Sequence, residues 1–184
     1  MLIVFLFLFV GVESSYANWI YNYAMKMGLA SETAAAYLNS IFRGSFTIGR
    51  LLGIPISSWF RPRTILLADL LGCIFFVAIV VLWPQSSTVL WIGVAGAGVS
   101  MASLFAVTLS WAERRLHMTG FITSCFFIGT ASSGMFFPWF IGQLFEGSGP
   151  LVAMYTILVA DIGALLVFLG LMLFGGKPRV IKDS

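Results

Sequence analysis

The sequence predicts an all-α membrane protein with six transmembrane helices. Apolar stretches long enough to cross a bilayer fill almost all of its 184 residues, and a spanning helix needs about 20 mostly apolar residues. Charged residues make up 9% of the chain, against about 25% in a soluble domain. The mean hydropathy is +1.01. In lipid every backbone group must be satisfied internally, so the spans are helices or a closed barrel. Barrel strands alternate apolar with polar over about 10 residues. The run Phe-Phe-Val-Ala-Ile-Val-Val at 75–81 does not alternate, so the spans are helices.

The first span is predicted over Leu2–Met25. No basic region precedes it, and its apolar run is too long for a signal peptide, so it reads as an anchor. Because Met1 opens directly into hydrophobic sequence, the chain is expected to begin partway through a longer one. The next spans are predicted over Thr33–Phe60, Thr64–Trp83, Thr88–Trp111, Gly120–Leu144 and Leu151–Phe174. Residues 1–174 then form one transmembrane bundle and residues 175–184 a cytoplasmic tail, with no room for a soluble domain. Cys73 and Cys125 both fall inside spans, where they serve as small apolar thiols rather than a disulfide.

Basic residues favour cytoplasmic loops. Arg61 and Arg63 follow span two; Arg114, Arg115 and His117, with Glu113, follow span four; Lys177, Arg179 and Lys182 follow span six. The opposite side holds Lys26 as its one basic residue. Both termini are therefore expected in the cytoplasm. The formal charge of +3 reflects this asymmetry and not nucleic-acid binding.

Ionisable groups at mid-bilayer cost about 2.5–3.5 kcal/mol each on insertion scales, so they turn toward a cavity or a partner. Glu13, Arg43, Arg50 and Asp161 lie within spans, and Asp69 lies nearer a cytoplasmic end. Glu13 and Arg43 fall at similar depth on consecutive antiparallel helices, and an ion pair between them is expected. It reads either as a static lock or as a pair remade by substrate. Arg50 and Asp69 are expected to form a cytoplasmic charge lock. Asp161 titrates, pairs with Arg43, or stays a quiet protonated acid; the sequence leaves these open. Tyr16, Asn18, Trp19, Tyr21 and Asn22 make the outer half of span one polar and aromatic. That suits an interfacial belt, or a sugar whose C–H faces pack on rings and whose hydroxyls meet amides and carboxylates. Small residues four apart, Gly96/Ser100 and Gly129/Ser133, allow close helix approach. Pro138 is expected to kink span five.

Catalytic constellations are missing. His117 is the one histidine, and no HExxH or CxxC occurs, so zinc has no ligand set. Ser132-Ser133-Gly134 has no base at its depth. No glycine-rich phosphate loop is present. The chain is expected not to be an enzyme and to need no cofactor and no metal.

The run Ala36-Tyr37-Leu38-Asn39-Ser40-Ile41-Phe42, followed by Phe46-Thr47-Ile48-Gly49-Arg50-Leu51-Leu52-Gly53, resembles the major facilitator superfamily. More narrowly it is similar to the branch holding sodium-dependent glucose transporter-like proteins and bacterial fucose permeases. Val10-Gly11-Val12-Glu13 with Trp19-Ile20-Tyr21 resembles the opening helix of that family's C-terminal half. Gly129, Gly134, Pro138 and Gly142 resemble the glycine and proline pattern of its eleventh helix.

The resemblance implies a twelve-helix fold in two halves, each an inverted pair of three-helix repeats. This chain would supply the C-terminal six. The implied function is half of a secondary active transporter for a small polar solute, a sugar on this reading. It would work by alternating access, with H+ or Na+ as coupling ion. Glu13, Tyr16, Asn39 and Arg43 would bind substrate, Glu13 and Asn39 being the positions that match the family motif. Arg43 departs from the aromatic or small residue of that pattern, a change that suits an acidic solute. Arg50, Asp69 and Asp161 would serve gating or coupling. The implied partners are the lipid bilayer, the solute, and a missing N-terminal half or a second copy, and the chain is either inactive alone or paired. The alternative is a non-transporting membrane protein that assembles with or regulates a full-length transporter.

Overall fold

A computed structural model of the chain describes residues 1–113 and 119–174, and every regular element among them is a helix. In order these are α1 (Leu2–Lys26), α2 (Glu32–Trp59), α3 (Pro62–Leu82), α4 (Ser87–Met101), α5 (Leu104–Glu113), α6 (Gly120–Ser148) and α7 (Leu151–Phe174). The predicted tail at 175–184 and the basic loop with Arg114, Arg115 and His117 lie outside the described residues.

Local chemistry sets where the helices start and stop. α1 ends in a Schellman turn. Gly28, at φ 67, takes the left-handed position that a side chain would resist. Its N–H donates to the Met25 carbonyl at 3.1 Å, and the Leu29 N–H donates to Ala24 at 3.0 Å. Three residues later Ser31 caps α2, its hydroxyl accepting from the Ala34 N–H at 3.3 Å. Pro62 opens α3, where its missing N–H costs nothing. Ser86 caps α4 and Thr119 caps α6 in the same way as Ser31.

The spans differ from expectation in three details. The fourth span is two helices, α4 and α5, separated by a turn at Ala102 and Ser103. There the Ala102 N–H reaches back three residues to the Val99 carbonyl at 3.3 Å. The small residues before it hold the chain weakly as helix, and α2 presses on this point: a Cβ on Gly49 would lie 2.8 Å from the Val99 carbonyl oxygen. The fifth span runs on past Leu144 to Ser148, stopped at Gly149 with φ 86 and then Pro150. Finally, five rods are long and apolar enough to cross a membrane, with α4 and α5 counted as one, and α2 is not among them. It has the length, at 28 residues, but Asn39, Arg43 and Arg50 dilute its apolar character. Pro138 sits inside α6, and the helix continues through it.

Part of the helix packing follows an exchange rule. α1 lies against α6 and α7, while α4 lies against α2 and α3. Swapping the triplet α1–α2–α3 for the triplet of α4/α5, α6 and α7 turns the first set of contacts into the second. The contact of α3 with α7 maps onto itself. Both seams rest on a glycine. A Cβ on Gly11 of α1 would lie 2.6 Å from the Ser133 hydroxyl of α6, and one on Gly98 of α4 would lie 2.7 Å from the Phe42 carbonyl of α2. Hydrocarbon gives helices no hydrophobic reason to associate, so such close backbone approach is what holds them together. Inside, Phe5, Phe9, Tyr16, Leu66, Leu70 and Phe168 are fully buried. Outside, Phe121, Ile128, Met135, Leu166 and Leu173 present apolar surface. This is an all-α membrane protein.

Candidate functional site

The most polar ground in the bundle lies along the seam of α1 and α2. Glu13, Ser14, Ala17 and Asn18 of α1 face Phe42, Arg43, Phe46 and Thr47 of α2 around a cavity of about 470 Å³. A second cavity of about 410 Å³, lined by Tyr21, Ala36, Asn39, Ser40 and Arg43, shares Arg43 with it. Together they form a groove from the Glu13 level toward the α1–α2 turn. Helical spacing makes it: Glu13 and Ala17 are one turn apart on α1, as are Asn39, Arg43 and Thr47 on α2.

The predicted ion pair of Glu13 with Arg43 is not formed, although both residues line one cavity. The Arg43 Nε donates instead to the Asn39 Oδ1 at 3.0 Å. The Asn39 Nδ2 in turn donates to the Ala17 carbonyl on α1 at 3.1 Å. Asn39 is one helical turn away and already fixed, so it orders Arg43 at less cost than a carboxylate across an open cavity. Arg43 lines both cavities. Thr47 spends its hydroxyl on the Arg43 carbonyl at 2.9 Å.

Tyr16, expected to bind substrate, is absent from this lining. It is fully buried and its ring lies tilted against that of Phe42, with centroids 5.3 Å apart. Its aromatic bulk belongs to the core, and it reaches the cavity only through Phe42.

Arg50 and Asp69 do not form the expected lock. Among the described residues Asp69 accepts a hydrogen bond from the Ser103 hydroxyl at the α4–α5 turn. The Arg50 guanidinium lies 4.6 Å from the centre of the Phe46 ring. Arg50 and Ser103 share a further cavity of about 440 Å³, with Gly53, Ser57, Pro62 and Ser110 among its walls. Because α4 breaks at this level, Ser103 intervenes and supplies the donor that Arg50 was expected to give. Phe46 was not singled out in the sequence as a site residue, yet it lines the Glu13 cavity and its ring carries the Arg50 guanidinium. Its signal is the run Phe42, Phe46, Arg50 at four-residue spacing on one face.

Asp161 does not pair with Arg43. It is fully buried on α7, and neither carboxylate oxygen has a hydrogen-bond partner. Cys73 and Cys125 are both free thiols. Among the described residues no cluster of metal-ligating side chains occurs.

No family model matches the chain, and no solved structure matches it. Relatives of known name do. The chain is 34% identical to sodium-dependent glucose transporter 1A of Mus musculus over 170 residues, which cover 91% of the chain and 40% of that protein. It is 32% identical to sodium-dependent glucose transporter 1 of Homo sapiens over 170 residues, covering 91% of the chain and 33% of the relative. It is 30% identical to major facilitator superfamily domain-containing protein 4A of Homo sapiens over 158 residues, covering 85% and 30%. The chain thus spans well under half the length of the curated relatives it matches. These relatives are membrane transporters and not enzymes, and their kinship, with the apolar rods, identifies an integral multi-pass membrane protein that is not an enzyme. The chain belongs to the major facilitator superfamily, in the branch that holds the sodium-dependent glucose transporter 1 proteins.

Proposed function

We propose that the chain is the C-terminal six-helix half of a secondary active transporter that moves a small polar solute, a sugar, by alternating access. One observation carries this reading. A cavity of about 470 Å³ brings Glu13, Asn18 and Arg43 together between helices otherwise made for lipid. A carboxylate accepts and a guanidinium donates, so neighbouring hydroxyls of a sugar find complementary partners there. Phe42 and Phe46 supply apolar faces for its C–H surface. Asn39 positions Arg43, and Tyr16 backs Phe42 from the core. Arg50, Asp69 and Ser103 close the end that the basic loops mark as cytoplasmic, with both termini on that side. A sugar is the solute on this reading because two relatives carry glucose in their names. Rocking of one half against another needs a partner: an N-terminal half or a second copy.

The experiment is uptake of labelled glucose into liposomes holding the purified chain, with an inward sodium gradient and with choline in its place. Sodium-driven uptake that falls in Glu13→Gln and Arg43→Gln is the expected result. No uptake above empty vesicles, alone or with an added N-terminal six-helix half, would sink it.

A second reading has its own support. Ile48, Leu51, Leu52 and Ile54 leave one face of α2 exposed and apolar. A chain matching 30–40% of its relatives then docks on a full-length transporter and regulates it. Co-purification with such a relative, together with absent uptake alone, would favour this reading.

A further inference from the structure

The Glu13 cavity is only part of the groove. Beyond it, toward the α1–α2 turn, lies the second cavity of about 410 Å³, walled by Tyr21, Ala36, Asn39, Ser40 and Arg43. Its walls continue the stripes that make the first. On α1 Glu13, Ala17 and Tyr21 follow one another at four-residue spacing, and on α2 Asn39, Arg43 and Thr47 do the same. Eight residues of helix rise about 12 Å, so the stripe from Glu13 to Tyr21 is about twice as long as one pyranose ring. A single hexose seated on Glu13 leaves the second cavity untouched.

The second cavity has the chemistry of a sugar site in its own right. Tyr21 is partly buried and packs against the core, so its ring is held in place. An aromatic ring fixed in this way offers a face to the C–H surface of a sugar. Ser40 donates its hydroxyl to the Ala36 carbonyl at 3.4 Å, which leaves its oxygen to accept. The Asn39 amide spends one of its two hydrogens on the Ala17 carbonyl. Of the five Arg43 donors, among the described residues one is spent, on Asn39. Hydroxyls both donate and accept, and these walls supply partners for both. No acidic residue stands among them, so the Glu13 carboxylate is the feature that tells the two cavities apart. Arg43 lies at their joint, because it walls both.

We propose that the second cavity is a second sugar subsite, and that the groove takes a disaccharide with its linkage at Arg43. One ring lies against Phe42 and Phe46 with hydroxyls on Glu13. The other lies against Tyr21 with hydroxyls on Asn39 and Ser40. Once one ring is seated, the other is held at high local concentration, so the linked pair binds more tightly than either ring alone. With the Glu13 cavity read as the solute site of a transporter, on which this assignment rests, glucose is the weaker ligand and fills the first cavity only.

The test is equilibrium dialysis of labelled glucose against the full chain in lipid, with unlabelled sugars as competitors. At least one of maltose, cellobiose and lactose is expected to displace the label at a concentration at least about tenfold below that of unlabelled glucose. Tyr21→Ala and Ser40→Leu, which empties and fills the second cavity respectively, should each abolish that advantage and leave glucose binding unchanged. Disaccharides no better than glucose would overturn the second subsite and leave the first standing. So would an advantage that survives both variants. Glucuronate competing better than every disaccharide would overturn it too, by making the second cavity an anion site. No binding of glucose at all would remove the first cavity and the second together. Should Tyr21→Ala not fold, Ser40→Leu, at an exposed position, decides alone.

Discussion

Asn39 ties Arg43 to α1: its oxygen accepts from the guanidinium at 3.0 Å while its amide donates to the Ala17 carbonyl at 3.1 Å. One amide therefore sets the position of a charge and the spacing of two helices. Glu13 is left facing the cavity with its carboxylate available to a solute. A double-mutant cycle of Glu13→Gln and Arg43→Gln on unfolding free energy should show coupling below about 0.5 kcal/mol, the level of independent sites. A coupling above 1 kcal/mol, on the order of a direct contact, would mean that the two charges meet.

Water should reach the groove and stop at the core. In a chain with Cys73→Ser and Cys125→Ser, single cysteines at Glu13, Arg43 and Thr47 are expected to react with a water-soluble thiol reagent. Cysteines at Leu70 and Ile157, both fully buried, should react at least about tenfold more slowly, because reactivity follows exposure. Mass spectrometry of the labelled protein reads the difference, and equal rates at all five positions would remove the cavity.

The glycine seams make a sharp prediction. Gly98→Ala puts a Cβ 2.7 Å from a backbone oxygen that cannot step aside, and overpacking of this kind costs about 1–3 kcal/mol. Gly53→Ala puts its Cβ 3.5 Å from the Ser103 Cβ, an ordinary contact. With alanine the better helix former by about 1 kcal/mol, that variant should be neutral or more stable. Thermal unfolding in detergent compares the two, and equal midpoints would deny that α2 and α4 pack this closely.

Ser103 should matter through Asp69. Ser103→Ala leaves a half-buried carboxylate without its donor, at a cost of about 1–3 kcal/mol. The same change in an Asp69→Asn background should cost less. Additive losses in the unfolding of the two single variants and the double would show that the hydrogen bond carries no weight.

Much of this was legible in the chain. The length and lack of alternation of the apolar runs located the helices, five of whose rods are long and apolar enough to cross a membrane, because lipid leaves only helices and closed barrels. Glu13, Asn39 and Arg43 could be gathered on one seam because consecutive antiparallel helices fix relative depth. What resisted reading was partner choice. Whether Arg43 takes Glu13 or Asn39 depends on less than a turn of rotation, and the local partner prevails because it is already ordered. The break at Ala102 and Ser103 was hidden for a related reason. Gly49 of another helix presses on this point, and that contact is not written within 87–113. That Tyr16 lies in the core and outside the cavity lining could not be read, because an aromatic ring near a polar stretch has the same spelling whether it faces water or the core.

Phe46 is hard to replace for a reason its size hides. Its ring walls the Glu13 cavity and carries the Arg50 guanidinium 4.6 Å from its centre. A leucine there would still fill space, but it has no electron-rich face to offer a cation, so Arg50 would lose its seat while the wall stayed.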